Sequence, residues 1–239
     1  MLDTYKFIEK YKRISIIGME KNVGKTTLLN KLIADIGTNK KLGLTSIGRD
    51  GEDIDVVTNT DKPRIYVRRG SIIATGRNCL AKCDITKEIL YVTDFTTPMG
   101  SIVIVRALSD GYVDIAGPSY NKQVKIVVEL MEKFGSEISI VDGALGRKST
   151  AISDVSEATI LSTGAALSLD MLKVVEETKK TVYFLKLNEA EKNIKEKVEK
   201  LRNEKAVLFY KNGEVAILEV DNSIDLSNIL KEYLKKDLE

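Results

Sequence analysis

Apolar positions along this chain switch repeatedly between two spacings. Arg13-Ile14-Ser15-Ile16-Ile17 is a short, nearly continuous run of the kind a buried strand shows. Behind it Leu28, Leu29, Leu32, Ile33 and Ile36 recur at helical spacing, and Gly37 stands where a helix cap is expected. Leu42 to Ile47 reads as the next strand, so the stretch forms a βαβ unit of about 30 residues. Strands are predicted at Arg64–Val67, Ser71–Thr75 and Ser101–Leu108, then at Tyr112–Ala116 after the turn Ser109-Asp110-Gly111. Asp84 to Glu88 is predicted to open a short helix with Asp84 as its N-cap. A longer helix starts at Gly117-Pro118-Ser119, turns Val124, Val127, Val128, Met131 and Phe134 inward, and stops at Gly135. Ile138 to Asp142 and Thr159 to Thr163 follow as strands, with a helix over about Ser168–Thr178 and another strand over Val182–Leu187.

The ends of the chain repeat the theme on a smaller scale. Tyr5, Phe7, Ile8 and Tyr11 mark an N-terminal helix or arm. Near the other end Ile194, Val198 and Leu201 line a charged helix. Ala206–Phe209 and Val215–Leu218 flank the hairpin signal Asn212-Gly213, and Leu226, Ile229, Leu230, Tyr233 and Leu234 mark a last helix. Strands alternating with helices predict an α/β, three-layer fold with a mostly parallel sheet covered on both faces. Such sheets bind ligands at the carboxyl ends of their strands. The loops after Ile17, Ile47, Val141 and Thr163 are therefore expected on one edge.

The first of those loops carries the strongest chemistry. It reads Gly18-Met19-Glu20-Lys21-Asn22-Val23-Gly24-Lys25-Thr26-Thr27 and joins a strand to a helix, the context that a phosphate-binding loop requires. Gly18 and Gly24 let backbone N–H groups approach phosphate oxygens, and the helix adds its positive N-terminal end. Lys21, Asn22 and Val23 complete the cradle. Lys25 is expected to reach the β- and γ-phosphates, Thr26 to hold Mg²⁺, and Thr27 to support it. Five residues separate Gly18 from Gly24, one more than the usual spacing. The fold expected is thus that of a P-loop NTPase. Residues 1–187 would form the nucleotide-binding domain, and 188–239 a small C-terminal α/β segment packed on it.

A second carboxylate follows. Asp142 closes the apolar strand Ile138–Val141 and precedes Gly143, the form of a Walker B element, and is expected to hold Mg²⁺ opposite Thr26. Asp50, Glu52, Asp53 and Asp55 follow the second strand; Asp50 is the first choice to touch Mg²⁺ or orient water, with a solvated acidic turn as the alternative. Arg49, Arg147 and Lys148 are open between phosphate contact and surface charge. Asn121-Lys122-Gln123-Val124 lacks the aspartate of a guanine-reading element, so ATP is the expected nucleotide.

Composition narrows the chemistry. The 239 residues contain no histidine, which excludes histidine acid–base catalysis and His-bearing zinc sites. Cys79 and Cys83 read as core thiols, with a redox pair or an intersubunit metal as the alternative. With 37 basic and 35 acidic residues there is no basic footprint for nucleic acid or membrane. No apolar run approaches the roughly 20 residues that span a bilayer, and Met1–Lys12 lacks a signal-peptide core, so a cytoplasmic protein is expected.

The loop resembles that of dethiobiotin synthetase, and Lys21 to Thr27 resembles the nucleotide-binding adaptor of molybdenum cofactor synthesis. Neither likeness extends to the second strand: the substrate lysine of the first and the histidines of the second are missing from Ser46-Ile47-Gly48-Arg49. Gly43–Glu52, Ile104–Gly111 and Ile115–Pro118 are similar to the P-loop subunit of lysine 5,6-aminomutase reactivase, a family of amino-acid-fermenting bacteria, and the likeness covers most of the chain. The resemblance implies an ATP-dependent chaperone that works with a second reactivase subunit on an adenosylcobalamin-dependent aminomutase, releasing damaged cofactor. It implies slow, Mg²⁺-dependent ATP hydrolysis, and a homodimer is common among similar proteins. A small-molecule enzyme of the dethiobiotin synthetase kind and a nucleotide-binding adaptor remain the alternatives.

Overall fold

The computed structural model describes residues 8–48, 54–55, 60–61, 64–143, 155–187, 190–210 and 212–219. The chain divides into two compact units, Met1–Leu185 and Lys186–Glu239. The first is a mixed α/β unit built on a seven-stranded sheet. Its strands are β1 (Arg13–Gly18), β2 (Leu42–Ser46), β6 (Ile72–Gly76), β7 (Lys87–Thr97), β8 (Gly100–Ala107), β10 (Ile138–Asp142) and β11 (Ala158–Ser162). Their order is β11-β1-β10-β2-β6-β8-β7. From β11 to β6 all neighbours are parallel, while β8 and β7 add an antiparallel flank. Two smaller ribbons pair β3 (Ile54–Asp55) with β4 (Thr60–Asp61) and β5 (Ile65–Val67) with β9 (Gly111–Val113).

Period-two alternation divides the sheet between two cores. In β8, Val103 and Val105 face one core, and Ile102 and Ile104 the other. Helix α1 (Lys25–Ile36) covers the first face with Leu29, Leu32, Ile33 and Ile36. Two further helices follow, the short α2 (Arg77–Leu80) and α3 (Asn121–Lys133). Helix α3 covers the second face with Val124, Val127, Val128 and Met131. It ends as its sequence asks. Gly135 takes φ 103, Ser136 N–H donates to Met131 O and Gly135 N–H to Glu132 O, a Schellman closure. Arg13 fastens the start of β1 to this helix through two 2.7 Å bonds to Glu132.

Three predicted elements differ in the structure, the first being the strand expected over Tyr112–Ala116, which ends at Val113. Asp84 to Glu88 is not helical: the Asp84 carboxylate takes an ion pair from Arg64 at 2.7 Å instead of capping N–H groups, and β7 begins at Lys87. That strand has no counterpart among the elements predicted above, although Leu90 to Thr97 is rich in β-branched and aromatic residues. Val182 to Leu185 is the end of helix α4 (Met171–Leu185), not a strand. A short apolar run fits either period, and among the described residues no ladder neighbour draws it into a sheet.

The second unit contains helix α5 (Lys192–Lys200) and the antiparallel pair β12 (Val207–Phe209) and β13 (Val215–Ile217). Its turn holds Gly213 at φ 91, the left-handed backbone that the Asn-Gly signal predicts. The expected helix at 226–234 lies outside the described residues. Among the described residues no helix is long and apolar enough to cross a membrane.

Candidate functional site

β1 delivers the chain to the carboxyl edge of the sheet and α1 carries it away. Gly18 ends β1, the turn contains Lys21, Asn22, Val23 and Gly24, and α1 opens with Lys25, Thr26 and Thr27. Asn22 and Gly24 both take left-handed backbone, with φ 60 and φ 85. Asparagine and glycine are the residues that tolerate it. Gly24 is the N-cap of α1 and supplies no side-chain acceptor. The first N–H groups of any α-helix lack an intrahelical acceptor, so those of Lys25, Thr26 and Thr27 face the mouth of the turn. Glu20 Oε1 takes the N–H of Lys21 at 2.9 Å, just outside that mouth.

Gly18 is required by contact rather than by φ. A Cβ there would lie 2.7 Å from Val23 Cγ2 and 2.8 Å from Lys25 Cδ. The Lys25 stem is therefore folded back across the start of its own loop, and its charge acts on Asp142 at the sheet edge. The next residue, Met19, donates its N–H to Ser162 O at 2.8 Å and so ties the loop to the end of β11.

Asp142 arrives from the neighbouring strand. β10 lies between β1 and β2, with Asp142 in register with Ile16 on one side and Ser46 on the other. Its backbone is gripped from both: Ile47 N–H donates to Asp142 O at 2.8 Å, and Gly143 N–H to Ile16 O at 2.8 Å. Burial pushes the Asp142 carboxyl above the ordinary aspartate range, and the positive charge of Lys25 opposes that rise. Gly143 is close-packed too, since a Cβ would lie 3.1 Å from Ile17 Cγ2.

The arrangement suits a polyanion with a hard cation. Open N–H donors, a helix N-terminus and one ammonium suit phosphate oxygens. A hydroxyl at Thr26 and the half-buried carboxylate of Asp142 are oxygen donors of the type Mg²⁺ takes, and a cation beside Asp142 would offset the cost of ionising it there. Asp50, Arg49, Glu52, Asp53, Arg147 and Lys148 lie outside the described residues, as does the side chain of Asp55.

The thiols are elsewhere. Cys79 is buried, and Cys83, half-buried, donates its thiol to Cys79 O at 3.3 Å. Burial pushes the Cys83 thiol up, away from thiolate chemistry. Among the described residues no group of three acidic, cysteine or histidine side chains could hold a metal. Ser46 belongs to no motif, yet its hydroxyl joins the site's edge to the segment ahead of α3. The Gly117-Pro118 dipeptide was a signal for it, but one that also fits a plain helix start. Comparison of the chain with family models, curated proteins and solved structures gave no match.

Proposed function

We propose that this chain is a P-loop NTPase that binds ATP with Mg²⁺, hydrolyses it slowly, and uses the cycle to reactivate an adenosylcobalamin-dependent aminomutase in the cytoplasm. The observation that carries the nucleotide part is the convergence of the Gly18–Thr27 turn, the folded-back Lys25 and the half-buried Asp142 at one sheet edge. Gly18, Lys21, Asn22, Val23 and Gly24 would wrap the phosphates with main-chain donors, and Lys25 would balance charge at the β- and γ-positions. Thr26 and Asp142 would hold Mg²⁺, which supplies neutralisation of phosphate charge. Thr27 supports the first turn of α1. Asp50 is assigned to water orientation on its sequence position alone.

The client rests on the segments Gly43–Glu52, Ile104–Gly111 and Ile115–Pro118 that resemble the reactivase subunit. In that reading a second subunit and the aminomutase are the partners, and a change in the loops bordering the phosphate site is what they sense.

The test is ADP release by the full chain with Mg²⁺, alone and with an adenosylcobalamin aminomutase carrying damaged cofactor. Slow release that rises with the mutase, and is lost in Lys25→Ala, supports the reading. Release that ignores every protein but jumps with a small carboxylic acid would replace it with metabolite phosphorylation. Tight ATP binding without turnover would replace it with an adaptor.

A further inference from the structure

Ile115, Ala116, Gly117 and Pro118 belong to no helix or strand, yet all four are buried. They form a strap laid across the carboxyl ends of β2 and β6. Gly117 N–H donates to Ser46 Oγ at 2.9 Å, and the same hydroxyl reaches Ile115 O at 3.5 Å. Ala116 N–H donates to Thr75 Oγ1 at 2.9 Å, and that hydroxyl donates to Asp114 O at 3.0 Å. Main-chain bonds complete the strap: Gly76 N–H to Ala116 O at 2.8 Å and Gly48 N–H to Pro118 O at 2.9 Å. The contact is tight enough that a Cβ on Gly117 would lie 1.8 Å from Ser46 O.

Ser46 stands where the strap meets the site. It is the register partner of Asp142 across the β2–β10 ladder, and the residue after it, Ile47, donates to Asp142 O. The line of contact runs from strap to Ser46, from the end of β2 to the backbone of Asp142, and on through Gly143 to Ile16 of β1. The phosphate loop has a second support outside that line, because Met19 is held by Ser162 of β11.

We infer that Ser46 is a positioning residue for the cation site, holding the end of β2, and through it Asp142, against the strap. The inference rests on the reading above in which Asp142 and Thr26 take Mg²⁺. Loss of the Ser46 hydroxyl leaves the buried Gly117 N–H without its acceptor, so the strap and the end of β2 shift together. The phosphate loop does not lose a contact. Metal use is then weakened while nucleotide binding without metal is kept.

The experiment uses the full chain and a fluorescent ATP analogue, first in EDTA and then titrated with Mg²⁺. Ser46→Ala is expected to bind the analogue in EDTA like the wild type and to need about tenfold more Mg²⁺ or beyond for half-saturation. Ser46→Cys, which keeps a weak acceptor, falls between them and serves if the alanine variant does not fold. Thr75→Ala loosens the strap on the β6 side and is the structural control: its Tm falls, with its Mg²⁺ half-saturation near that of the wild type. Wild-type Mg²⁺ half-saturation in both Ser46 variants, or an equal rise in Thr75→Ala, would overturn the inference while leaving the nucleotide reading in place. Failure of the wild type itself to bind the analogue, or binding that ignores Mg²⁺, would overturn that reading instead.

Discussion

The carboxyl edge of the sheet ends in two ways. At β1 and β10 the chain turns away through left-handed residues, an uncapped helix start and a carboxylate whose ionised form burial disfavours. At β2 and β6, two hydroxyls and a run of main-chain bonds tie the strand ends to the strap. Both edges are built by the same parallel sheet, so sheet geometry does not explain the contrast. Polar groups paired within the protein hold a fold together, whereas N–H groups left open to solvent are free to pair with a ligand. The open edge is where function is expected, and the stitched edge is the scaffold that holds it.

Removing charge from the open edge should have the largest effect. Lys25→Ala is expected to cut ATP affinity at least about hundredfold. Its Tm should stay close to wild type, because the Lys25 head group is not part of either core. Isothermal titration with ATP and Mg²⁺, paired with thermal melting, checks both halves. A large fall in Tm without loss of ATP affinity would assign Lys25 to the scaffold.

The stitched edge should respond the other way. Gly117→Ala places a Cβ against Ser46 O and is expected to cost about 1–3 kcal/mol or more, the range for overpacking. Gly24→Ala offers the contrast, because nothing lies within 4 Å of its added Cβ and only the backbone at φ 85 is strained. That strain is worth roughly 1–2 kcal/mol. The two alanines therefore differ mainly in readout. Gly117→Ala lowers Tm more, and Gly24→Ala lowers nucleotide affinity more. The same ranking in both assays would erase the distinction between the edges.

How much of this contrast was legible in the sequence follows from its physics. The open edge is encoded locally: glycines, lysine and threonine at fixed offsets between a strand and a helix. The place of Asp142 was also readable, because an acid that closes an apolar parallel strand comes to the carboxyl edge of the sheet. The strap was not. Its bonds join Gly117 to Ser46 and Ala116 to Thr75, pairs far apart in the chain, and no local period marks them. Asp84 misled for the same reason, since its distant partner Arg64 decides its role. Val182–Leu185 misled because a short apolar run satisfies both periods.

Asp142→Asn gives a smaller effect with an informative sign. Burial raises the Asp142 carboxyl more than Lys25 lowers it, so the folded protein holds that proton more tightly than the unfolded chain. Stability from this group is fullest below the ordinary aspartate range and declines as pH climbs through the raised folded value. Asparagine has no such decline. The Tm of Asp142→Asn should pull ahead of the wild type across that window and keep its lead at higher pH, while Mg²⁺ dependence is lost. A variant that melts lower than the wild type at neutral pH would mean that the Lys25 attraction outweighs desolvation, which would place Asp142 with the stitched groups.

The smallest effect belongs to a residue midway along β1. Ser15 is 1% exposed, lies in register with Val141 and Thr159, and its Oγ has no hydrogen-bond partner among the described residues. A buried hydroxyl without a partner costs free energy, so Ser15→Ala is expected to be neutral or to stabilise by up to about 1 kcal/mol. The loss of one oxygen leaves only a small void, because the Cβ keeps its packing. Nucleotide affinity should not move, since Gly18 is reached only after Ile16 and Ile17, both held in the ladders. Chemical denaturation with an unchanged m-value, together with an ATP titration, measures the two quantities separately. A clear fall in stability would show that Ser15 has a partner in solution, such as an ordered water, and that the open edge extends deeper into β1 than its turn.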